Sequence, residues 1–244
     1  MKISIIIPSY NGWDRLPLLC NKIINTLSRY RKRGDYEILI IDDGSKDRSD
    51  KIIKDLRNTG INIRAVFLKK NYGQQFATLA GLLVSGGEYM ITIDDDLSHN
   101  PEDFVKLLTL IEREKLDAVF GVAKNDRKGM LRKGGSGLRN IIFSVFFKKP
   151  KGLSVSSFRV LSRSLVDKII SDISEYRYLS VEILKHTRST ADIKVKYIRN
   201  PGNKSRYSFL KLVILAFSLL RCSRIFPERI RKLKTASEME WELI

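Results

Sequence analysis

The sequence predicts an α/β protein built on an open, mostly parallel sheet with helices on both faces. Two observations lead to this fold class. Short runs rich in Ile and Val recur through the first 122 residues, as expected for parallel strands that are buried on both faces. Amphipathic stretches with helical spacing separate these runs, and the resulting β-α-β-α rhythm is typical of such a sheet.

The strands and helices of this first half alternate along the chain. The predicted strands are Ile3–Ile7, Glu37–Ile41, Ile61–Leu68, Tyr89–Ile93 and Ala118–Val122. The predicted helices are Asp14–Tyr30, Asp47–Asn58, Gln74–Val84 and Glu102–Glu114. Asn100-Pro101 gives the last of these helices a good start, because proline is favoured in the first turn.

The alternation ends after Val122. Residues 124–137, with five basic residues and four glycines, predict a loop, and residues 138–147 form an apolar stretch that could lie at a membrane interface. The further predicted elements are strands at Ser154–Leu161 and Ile193–Ile198 and helices at Ser164–Ile173 and Arg177–His186.

The C-terminal part of the chain has a different pattern. Tyr207–Phe226 is apolar with interspersed Lys and Arg, which predicts an amphipathic helix at a membrane interface. The alternative is that this segment, the apolar stretch at 138–147 or both pack on the sheet. The charged tail after it is predicted to be a solvated helix or disordered. We therefore divide the chain into a main domain at 1–206, with halves at 1–122 and 123–206, and a C-terminal extension at 207–244.

The composition excludes several classes of protein. With 244 residues, 43% of them hydrophobic, the chain can bury a core and is not expected to be disordered. Cys20 and Cys222 form neither a disulfide framework nor a zinc site, and they fit a reducing compartment. The N-terminus lacks a signal-peptide pattern. The uncharged run Leu212–Leu220 is far shorter than the roughly 20 residues of a spanning helix, so no transmembrane helix is predicted.

The net charge of +18 is distributed unevenly. Residues 1–120 hold 18 of the 45 Lys and Arg and 17 of the 27 Asp and Glu, so nearly all of the positive excess lies in residues 121–244. Such an asymmetry predicts a polyanionic partner for the second half. Nucleic acid, an anionic membrane and a phosphorylated lipid all fit this description.

Three consecutive carboxylates, Asp94, Asp95 and Asp96, follow the predicted strand that ends at Ile93. Like charges this close raise one another's pKa, so a compensating cation is expected. Oxygen ligands favour Mg²⁺ or Mn²⁺, and the carboxyl end of a strand in an open α/β sheet is where ligands bind. The alternative is an acidic turn that caps the helix after Pro101.

Polar clusters also follow the first three predicted strands of this half. They are Pro8-Ser9-Tyr10-Asn11-Gly12, Asp42-Asp43-Gly44-Ser45 and Lys69-Lys70-Asn71-Tyr72-Gly73-Gln74-Gln75. Each alone is a weak signal, because strand-to-helix turns often use Asp, Asn, Gly and Ser. Together with the three carboxylates, they are predicted to line one edge of the sheet.

This combination of motifs resembles the family 2 inverting glycosyltransferases with a GT-A fold. Within that family the chain is most similar to the dolichol-phosphate mannose synthases and undecaprenyl-phosphate sugar transferases. The resemblance covers about residues 3–226. The matching segments are Ile7-Pro8-Ser9-Tyr10-Asn11, Ile41 to Asp47, Asn71 to Gln75, Asp94 to Leu97 with Pro101-Glu102, Arg132-Lys133 with Ser136, Ser157-Phe158-Arg159 and Lys204 to Ser208.

The resemblance implies a role for each matching residue. Asp94 and Asp96 would bind Mg²⁺ or Mn²⁺ as the outer acids of a DxD motif, and with Arg132 they would carry the catalysis. The donor-binding residues would be Pro8, Tyr10, Asn11, Asp42, Asp43, Asn71, Gln74, Asp94, Asp95 and Asp96. The residues that bind the acceptor or its phosphate would be Arg132, Ser136, Arg139, Arg159, Lys204 and Arg206.

The resemblance also implies a reaction and a place for it. A Rossmann-like GT-A catalytic domain at 1–206 would bind a UDP- or GDP-sugar with its first half and the acceptor with its second. The sugar would pass to a polyprenyl phosphate at the inner face of the cytoplasmic membrane, for a cell-envelope polysaccharide. The protein would be cytoplasmic and peripheral on an anionic membrane surface. The sequence leaves open whether it forms a homo-oligomer or binds a membrane partner protein.

The chain departs from the family pattern at four places. Gly12 stands where Glu is common, Ser98 where Gln is common, and Leu153 in the region where the branch often has Asp. The transmembrane helices with which most of the branch continues are not predicted here. A phosphate acceptor needs cations to position it, whereas a sugar hydroxyl needs a base, so the scarcity of acids between Gly121 and Arg159 favours the phosphate.

Several alternatives remain at this stage. A family 2 enzyme that extends a lipid-linked or surface glycan would use a hydroxyl acceptor, with Asp95 as its base. A basic nucleic-acid-binding module is disfavoured, because the chain has no recognisable nucleic-acid motif. A non-catalytic scaffold would not need the Asp94–Asp96 motif. His99 is expected either to touch the donor or to lie exposed in a turn, and Trp13 and Trp241 give no functional signal.

Overall fold

The computed structural model describes residues 2–30, 35–48, 50–124, 150, 152–172, 178–198 and 241–243. The strands are β1 Ile3–Ser9, β2 Tyr36–Asp42, β3 Asn62–Leu68, β4 Tyr89–Thr92, β5 Ala118–Ala123, β6 Arg159–Ser162, β7 Thr190–Val195 and β8 Trp241–Leu243. The helices are α1 Leu16–Leu27, α2 Asp50–Arg57, α3 Gln74–Val84, α4 Asp103–Arg113, α5 Arg163–Ser171 and α6 Leu179–His186.

The described strands form one sheet in the order β7-β5-β6-β4-β1-β2-β3-β8. Strands β4, β1, β2 and β3 are parallel to one another, and β5 is parallel to β7. Strand β6 runs antiparallel between β4 and β5. The predicted open, mostly parallel sheet is confirmed, with an antiparallel insertion that brings the start of β6 to the carboxyl end of β4.

Helices cover both faces of the sheet, as predicted. One core packs α1, α2 and α4 against the sheet and includes Leu19, Leu56 and Phe104. The other core packs α3, α5 and α6 and includes Leu79, Leu165 and Ile183. Strands β1 and β2 contribute side chains to both cores, which explains why their sequences read as nearly continuous apolar runs.

Two predicted strands are displaced in the structure. The strand predicted at Ser154–Leu161 begins only at Arg159. Before it, the Ser156 hydroxyl lies 2.7 Å from the backbone oxygens of both Gly121 and Phe158 and donates to one of them at a time, so a side-chain bond stands in place of a regular ladder there. The strand predicted at Ile193–Ile198 is β7, which ends at Val195 and is followed by an isolated bridge between His99 and Tyr197.

The prediction of a helical or disordered tail is wrong for Trp241–Leu243. These residues form β8, which pairs antiparallel with β3 over Val66 to Leu68. A three-residue strand is too short to produce a periodic pattern in the sequence. The apolar segment 138–147 and the amphipathic helix predicted over Tyr207–Phe226 lie outside the described residues. Among the helices that are described, none combines the length and apolar character of a membrane span.

Candidate active site

The four polar clusters predicted from the sequence meet at the carboxyl edge of the sheet. Ser9 pairs with Asp42 across β1 and β2, and Asp42 pairs with Phe67 across β2 and β3. Asp94 follows the end of β4, whose Thr92 pairs with Ile6. The parallel register therefore confirms the prediction that these turns share one edge.

The turns after β1 and β2 are tied to each other by hydrogen bonds. The Asn11 backbone N–H donates to the Ser45 hydroxyl, and the Lys46 N–H donates to Asn11 Oδ1, both at 2.9 Å. Asp42 Oδ1 accepts from the Ser45 N–H at 2.8 Å, and its Oδ2 accepts from the Trp13 indole at 2.5 Å. Asn11 and Asp42, both predicted to bind the donor, thus shape the loops of the site, and Trp13 is a supporting residue that the sequence did not reveal.

Asp43 ties the turn after β2 to the turn after β3. Its carboxylate is 3% exposed and accepts from the backbone N–H groups of Tyr72 at 2.7 Å and Gly73 at 2.9 Å. Burial raises the pKa of Asp43 to about 6, against the lowering effect of these two bonds, and the Asp42 charge raises it further. Gly44, with φ of 72°, allows the close approach of the turns, since a Cβ there would lie 2.6 Å from the Lys70 carbonyl carbon.

Asp94 is held from two sides. Its Oδ1 accepts from the Gln74 side-chain amide at 2.6 Å, and its Oδ2 accepts from the Ser157 hydroxyl at 2.7 Å. Burial raises the pKa of Asp94 to about 6, Ser157 lowers it, and the neighbouring Asp96 charge raises it. Gln74 belongs to the start of α3 and Ser157 to the segment before β6, so distant parts of the chain orient this carboxylate.

Asp96 is partly exposed at the same turn. Its Oδ1 accepts from the Ser98 backbone N–H at 2.9 Å. Leu97 between them has φ of 59°, a left-handed conformation that costs about 1–3 kcal/mol for such a side chain. The fold maintains this strained turn next to Asp96, as functional sites often do.

Asp95 points into the protein. It is 6% exposed, and its Oδ2 accepts from the Ser9 hydroxyl at 2.7 Å and from Arg15 Nη2 at 3.1 Å. Gly12 faces this ion pair, and a Cβ at Gly12 would lie only 2.1 Å from Asp95 Oδ2. The burial and the bound cation disfavour both the donor contact and the base role that the sequence predicted for Asp95.

Arg159 lies beneath the site. It is 3% exposed, its Nη1 donates to the Ser180 hydroxyl at 2.9 Å, and its Nε lies 3.3 Å from the Thr92 hydroxyl. Its positive charge lowers the pKa of Asp94. The predicted contact of Arg159 with the acceptor is disfavoured, because its guanidinium is buried and bonded to Ser180 inside the protein.

His99 occupies neither of its predicted environments. It is 9% exposed, stacks on Phe158 with 4.7 Å between ring centroids, and meets the edge of Tyr197 at 5.5 Å. Burial lowers its pKa. The Ile198 N–H donates to the Ser98 oxygen at 2.8 Å, so the chain leaving β7 is bound to the turn that carries Asp96.

The other predicted site residues fall into three groups. Tyr10, Asn71 and Gln74 are exposed at the carboxyl edge, whereas Pro8 is buried within β1. The predicted acceptor residues Arg132, Ser136, Arg139, Lys204 and Arg206 lie outside the described residues.

The carboxylate oxygens at this edge suit a hard divalent cation that is also held by the phosphates of a bound substrate. Within the described ranges, no group of three or more His, Cys, Asp or Glu side chains is arranged to hold a metal ion. Mg²⁺ is commonly bound through one or two carboxylates together with substrate phosphates. Asp96, with its partly exposed carboxylate, and the adjacent Asp94 fit this pattern.

Comparison with known proteins identifies the family and its branch. The model of the family described as glycosyl transferase family 2 matches residues 4–170. An undecaprenyl-phosphate 4-deoxy-4-formamido-L-arabinose transferase of Proteus mirabilis is 30% identical over 230 residues, covering 94% of this chain and 70% of the relative. The enzyme of the same name from Pectobacterium atrosepticum is 33% identical over 237 residues, covering 95% and 70%.

Solved structures show the same GT-A fold. The glucosyl-3-phosphoglycerate synthase of Mycobacterium tuberculosis, in complex with phosphoglyceric acid, has a TM-score of 0.64 at 16% identity, covering 93% of this chain and 81% of that one. The mannosyltransferase PcManGT of Pyrobaculum calidifontis, in complex with GDP-Man and Mn²⁺, has a TM-score of 0.63 at 14% identity, covering 96% and 65%. S. aureus TarS 1-349, in complex with UDP-GlcNAc, has a TM-score of 0.58 at 18% identity, covering 95% and 69%.

Proposed function

The chain belongs to glycosyl transferase family 2, and we propose that it moves a sugar from a nucleoside-diphosphate sugar to a polyprenyl phosphate. The observation that carries this proposal is the Asp94–Asp96 turn, which lies at the carboxyl edge beside the turns held by Asp42 and Asp43. The similarity to undecaprenyl-phosphate sugar transferases extends over 94% of the chain and supports a lipid phosphate as the acceptor.

We propose that three exposed residues of the edge contact the donor. Tyr10, Asn71 and Gln74 face solvent there and would meet the nucleotide sugar directly. Asp42, Asp43 and Asn11 would define the shape of the pocket, because they already bind the backbone and side chains of the surrounding turns. A base or ribose could still use the remaining lone pairs of these carboxylates.

Asp96, assisted by Asp94, would hold Mg²⁺ or Mn²⁺ together with the donor diphosphate. When bound, the metal supplies Lewis-acid stabilisation of the negative charge that develops on the leaving diphosphate. Gln74 and Ser157 would keep Asp94 oriented toward this region, since each donates to one of its oxygens. Hydrogen bonds that orient a metal-binding carboxylate in this way commonly tune metal affinity.

In the proposed reaction, an oxygen of the lipid phosphate forms a bond to the anomeric carbon from the face opposite the diphosphate. The bond between that carbon and the diphosphate oxygen breaks, and its electron pair leaves with the nucleoside diphosphate, so the configuration inverts. The acceptor phosphate is already ionised near neutral pH and needs no base. Arg132, Ser136, Arg139, Lys204 and Arg206 are proposed to bind the phosphates and reduce their repulsion.

The position of Asp95 favours this reaction over transfer to a sugar hydroxyl. A hydroxyl acceptor would need a positioned base, and Asp95 is bound by Ser9 and Arg15 inside the protein.

We further propose that the protein acts as a peripheral enzyme at the inner face of the cytoplasmic membrane. Residues 1–206 would form the catalytic domain and residues 207–226 an amphipathic interface helix.

A donor and acceptor screen tests the proposal. The purified chain would be incubated with each common nucleotide sugar, a short-chain polyprenyl phosphate and Mg²⁺ or Mn²⁺, and the products identified by mass. We expect a glycosylated lipid phosphate with one donor, and its loss on addition of EDTA. A product formed only on glycan acceptors would refute the lipid phosphate, and no turnover with any donor would refute the enzyme assignment.

A further inference from the structure

The turns after β2 and β3 differ in exposed charge from three segments at the opposite edge of the sheet. The turns after β2 and β3, at the carboxyl edge, expose four basic residues, Lys46, Arg48, Lys69 and Lys70, and within residues 44–48 and 69–73 one exposed acid, Asp47. At the amino edge, the exposed charges before β1 and β4 and at the end of α4 are balanced. They are Lys2, Arg113 and Lys115 against Glu88, Glu112 and Glu114.

The four cations belong to one surface, because the two turns touch. The space around Gly44 is closed by the backbone of Lys70 and Asn71, with the nearest atoms 2.6 and 2.8 Å from an added Cβ. Arg48 reaches across to β3, where its guanidinium carbon lies 3.8 Å from the centre of the Phe67 ring. We call this surface, formed by Lys46, Arg48, Lys69 and Lys70, the basic turn patch.

We propose that the basic turn patch binds the anionic headgroups of a membrane and turns the carboxyl edge of the sheet toward the lipid surface. The proposal rests on the proposed function, since an enzyme that uses a polyprenyl phosphate must bring its site to the bilayer. The patch follows β2 and β3 and therefore shares the edge that carries Asp94 and Asp96. The amino-edge segments before β1 and β4 and at the end of α4 have no such net charge.

The magnitude of the attraction follows from general membrane electrostatics. Each Lys or Arg close to an anionic bilayer strengthens binding by about fivefold, and the effect fades within a Debye length. Four cations in one patch therefore suffice for reversible binding that depends on anionic lipid and on salt. Arg48 on Phe67 and Lys70 above the Tyr72 ring, at 5.3 Å, add aromatic packing that holds two of the four in place.

The test compares two variants of equal charge in the full chain. Lys46→Gln with Lys69→Gln removes one cation from each turn of the patch, and Lys2→Gln with Lys115→Gln removes two exposed cations from the amino edge. Partition onto vesicles of phosphatidylcholine with phosphatidylglycerol would be measured by co-sedimentation, with pure phosphatidylcholine vesicles as the reference. We expect about 25-fold weaker binding for the patch variant and less than about a twofold change for the amino-edge variant.

Three outcomes would overturn the proposal. Equal losses in the two variants would mean that only total charge matters, and no loss in the patch variant would mean that another surface faces the bilayer. Tighter binding to RNA than to anionic vesicles, lost in the patch variant alone, would reassign the patch to nucleic acid. Transfer to a soluble short-chain polyprenyl phosphate, measured in parallel, is expected to stay within about twofold in both variants. Wild-type failure in that assay would refute the proposed function without deciding the membrane contact.

Discussion

The turns after β1, β2 and β3 differ from the turn after β4 in how they are held. The first three bind one another, through pairs such as Asn11 with Ser45 and Asp43 with the N–H groups of Tyr72 and Gly73. The turn after β4 also binds these turns, through Ser9 and Arg15 with Asp95 and through Gln74 with Asp94. In addition, Asp94 receives a bond from Ser157, 63 residues away in sequence. The donor side of the edge is thus a local scaffold, whereas the acids that would face the diphosphate depend on the second half of the chain as well.

The largest effect is expected at Asp96. Asp96→Asn keeps an oxygen for the Ser98 N–H but removes the charge that would hold the metal, so transfer should fall at least about a hundredfold to a thousandfold. The thermal midpoint should change little, since Asp96 is partly exposed. Steady-state kinetics and thermal unfolding measure the two effects.

Glu102→Gln is the matched control for Asp96, because it neutralises an exposed acid six residues further along. Its activity should stay within about twofold of wild type. If Asp96→Asn retained most of its activity while Mg²⁺ or Mn²⁺ was still required, the metal assignment to the turn after β4 would be wrong.

Ser157→Ala tests whether the second half of the chain supports the site. Removal of the hydroxyl leaves Asp94 Oδ2 without its donor, and loss of such a supporting bond commonly costs tenfold to a hundredfold in metal affinity or activity. We expect a fall of about this size, together with a weaker apparent affinity for Mn²⁺. Titration of activity against Mn²⁺ separates a metal effect from a loss of folded protein.

Ser154→Ala provides the comparison for Ser157, since Ser154 lies in the same segment and uses its backbone N–H to bond Asp192. Its metal dependence should match that of wild type. An equal shift in both variants would show that the segment as a whole was disturbed, and the specific support of Asp94 would be refuted.

Gly12→Ala probes the buried Arg15–Asp95 pair. The new methyl group would need space that Asp95 Oδ2 and Arg15 Nη2 occupy, at 2.1 and 2.5 Å, so the pair must move. Overpacking of this kind costs about 1–3 kcal/mol, and the resulting shift of the turn after β4 should weaken donor binding more than it slows turnover. Urea unfolding and the KM for the donor measure the two consequences.

Gly86→Ala is the corresponding control, because its nearest neighbour to an added Cβ is Glu37 Oε1 at an ordinary 3.6 Å. It lies at the amino edge and should leave the KM for the donor unchanged. A Gly12→Ala protein with wild-type stability and wild-type KM would show that the pair does not position the turn after β4.

Sequence patterns predicted the donor side of the molecule better than the rest, for a physical reason. The apolar runs, the helical spacing between them and the polar turns are local signals, and the parallel sheet brings those turns together. The support of Asp94 by Ser157 and Arg159 depends on the antiparallel insertion of β6, which no local pattern encodes. The orientation of Asp95 depends on Arg15, 80 residues earlier. The sequence does not show this contact, and it therefore predicted that Asp95 binds the donor or acts as a base.

The burial of single side chains could not be predicted from the sequence either. Trp13 carries no motif, yet it is 1% exposed and binds Asp42. His99 lies beside the acidic turn in sequence but packs on Phe158 in the core. Strand β8 is three residues long and pairs with β3 across 173 residues of sequence separation between Leu68 and Trp241. In each case the deciding contact is long-range, and spacing along the chain contains no information about it.

The smallest expected effect concerns the pH dependence of the local scaffold. The pKa of Asp43 in the folded protein is raised from 3.8 to about 6, chiefly by burial, so the folded state holds this proton more tightly than the unfolded chain. Its contribution to stability is therefore full below about pH 4 and is lost as the pH rises to about 6. Asp43→Asn removes this titration, and the stability of the variant relative to wild type should increase over that interval and stay constant above it.

Urea unfolding at a series of pH values measures the difference in stability. The control is Asp47→Asn, which changes an exposed acid of the same turn. A constant difference between Asp43→Asn and wild type across the interval would mean that the two N–H donors of Tyr72 and Gly73 at least offset burial, and that the pKa of Asp43 is not raised in the folded protein.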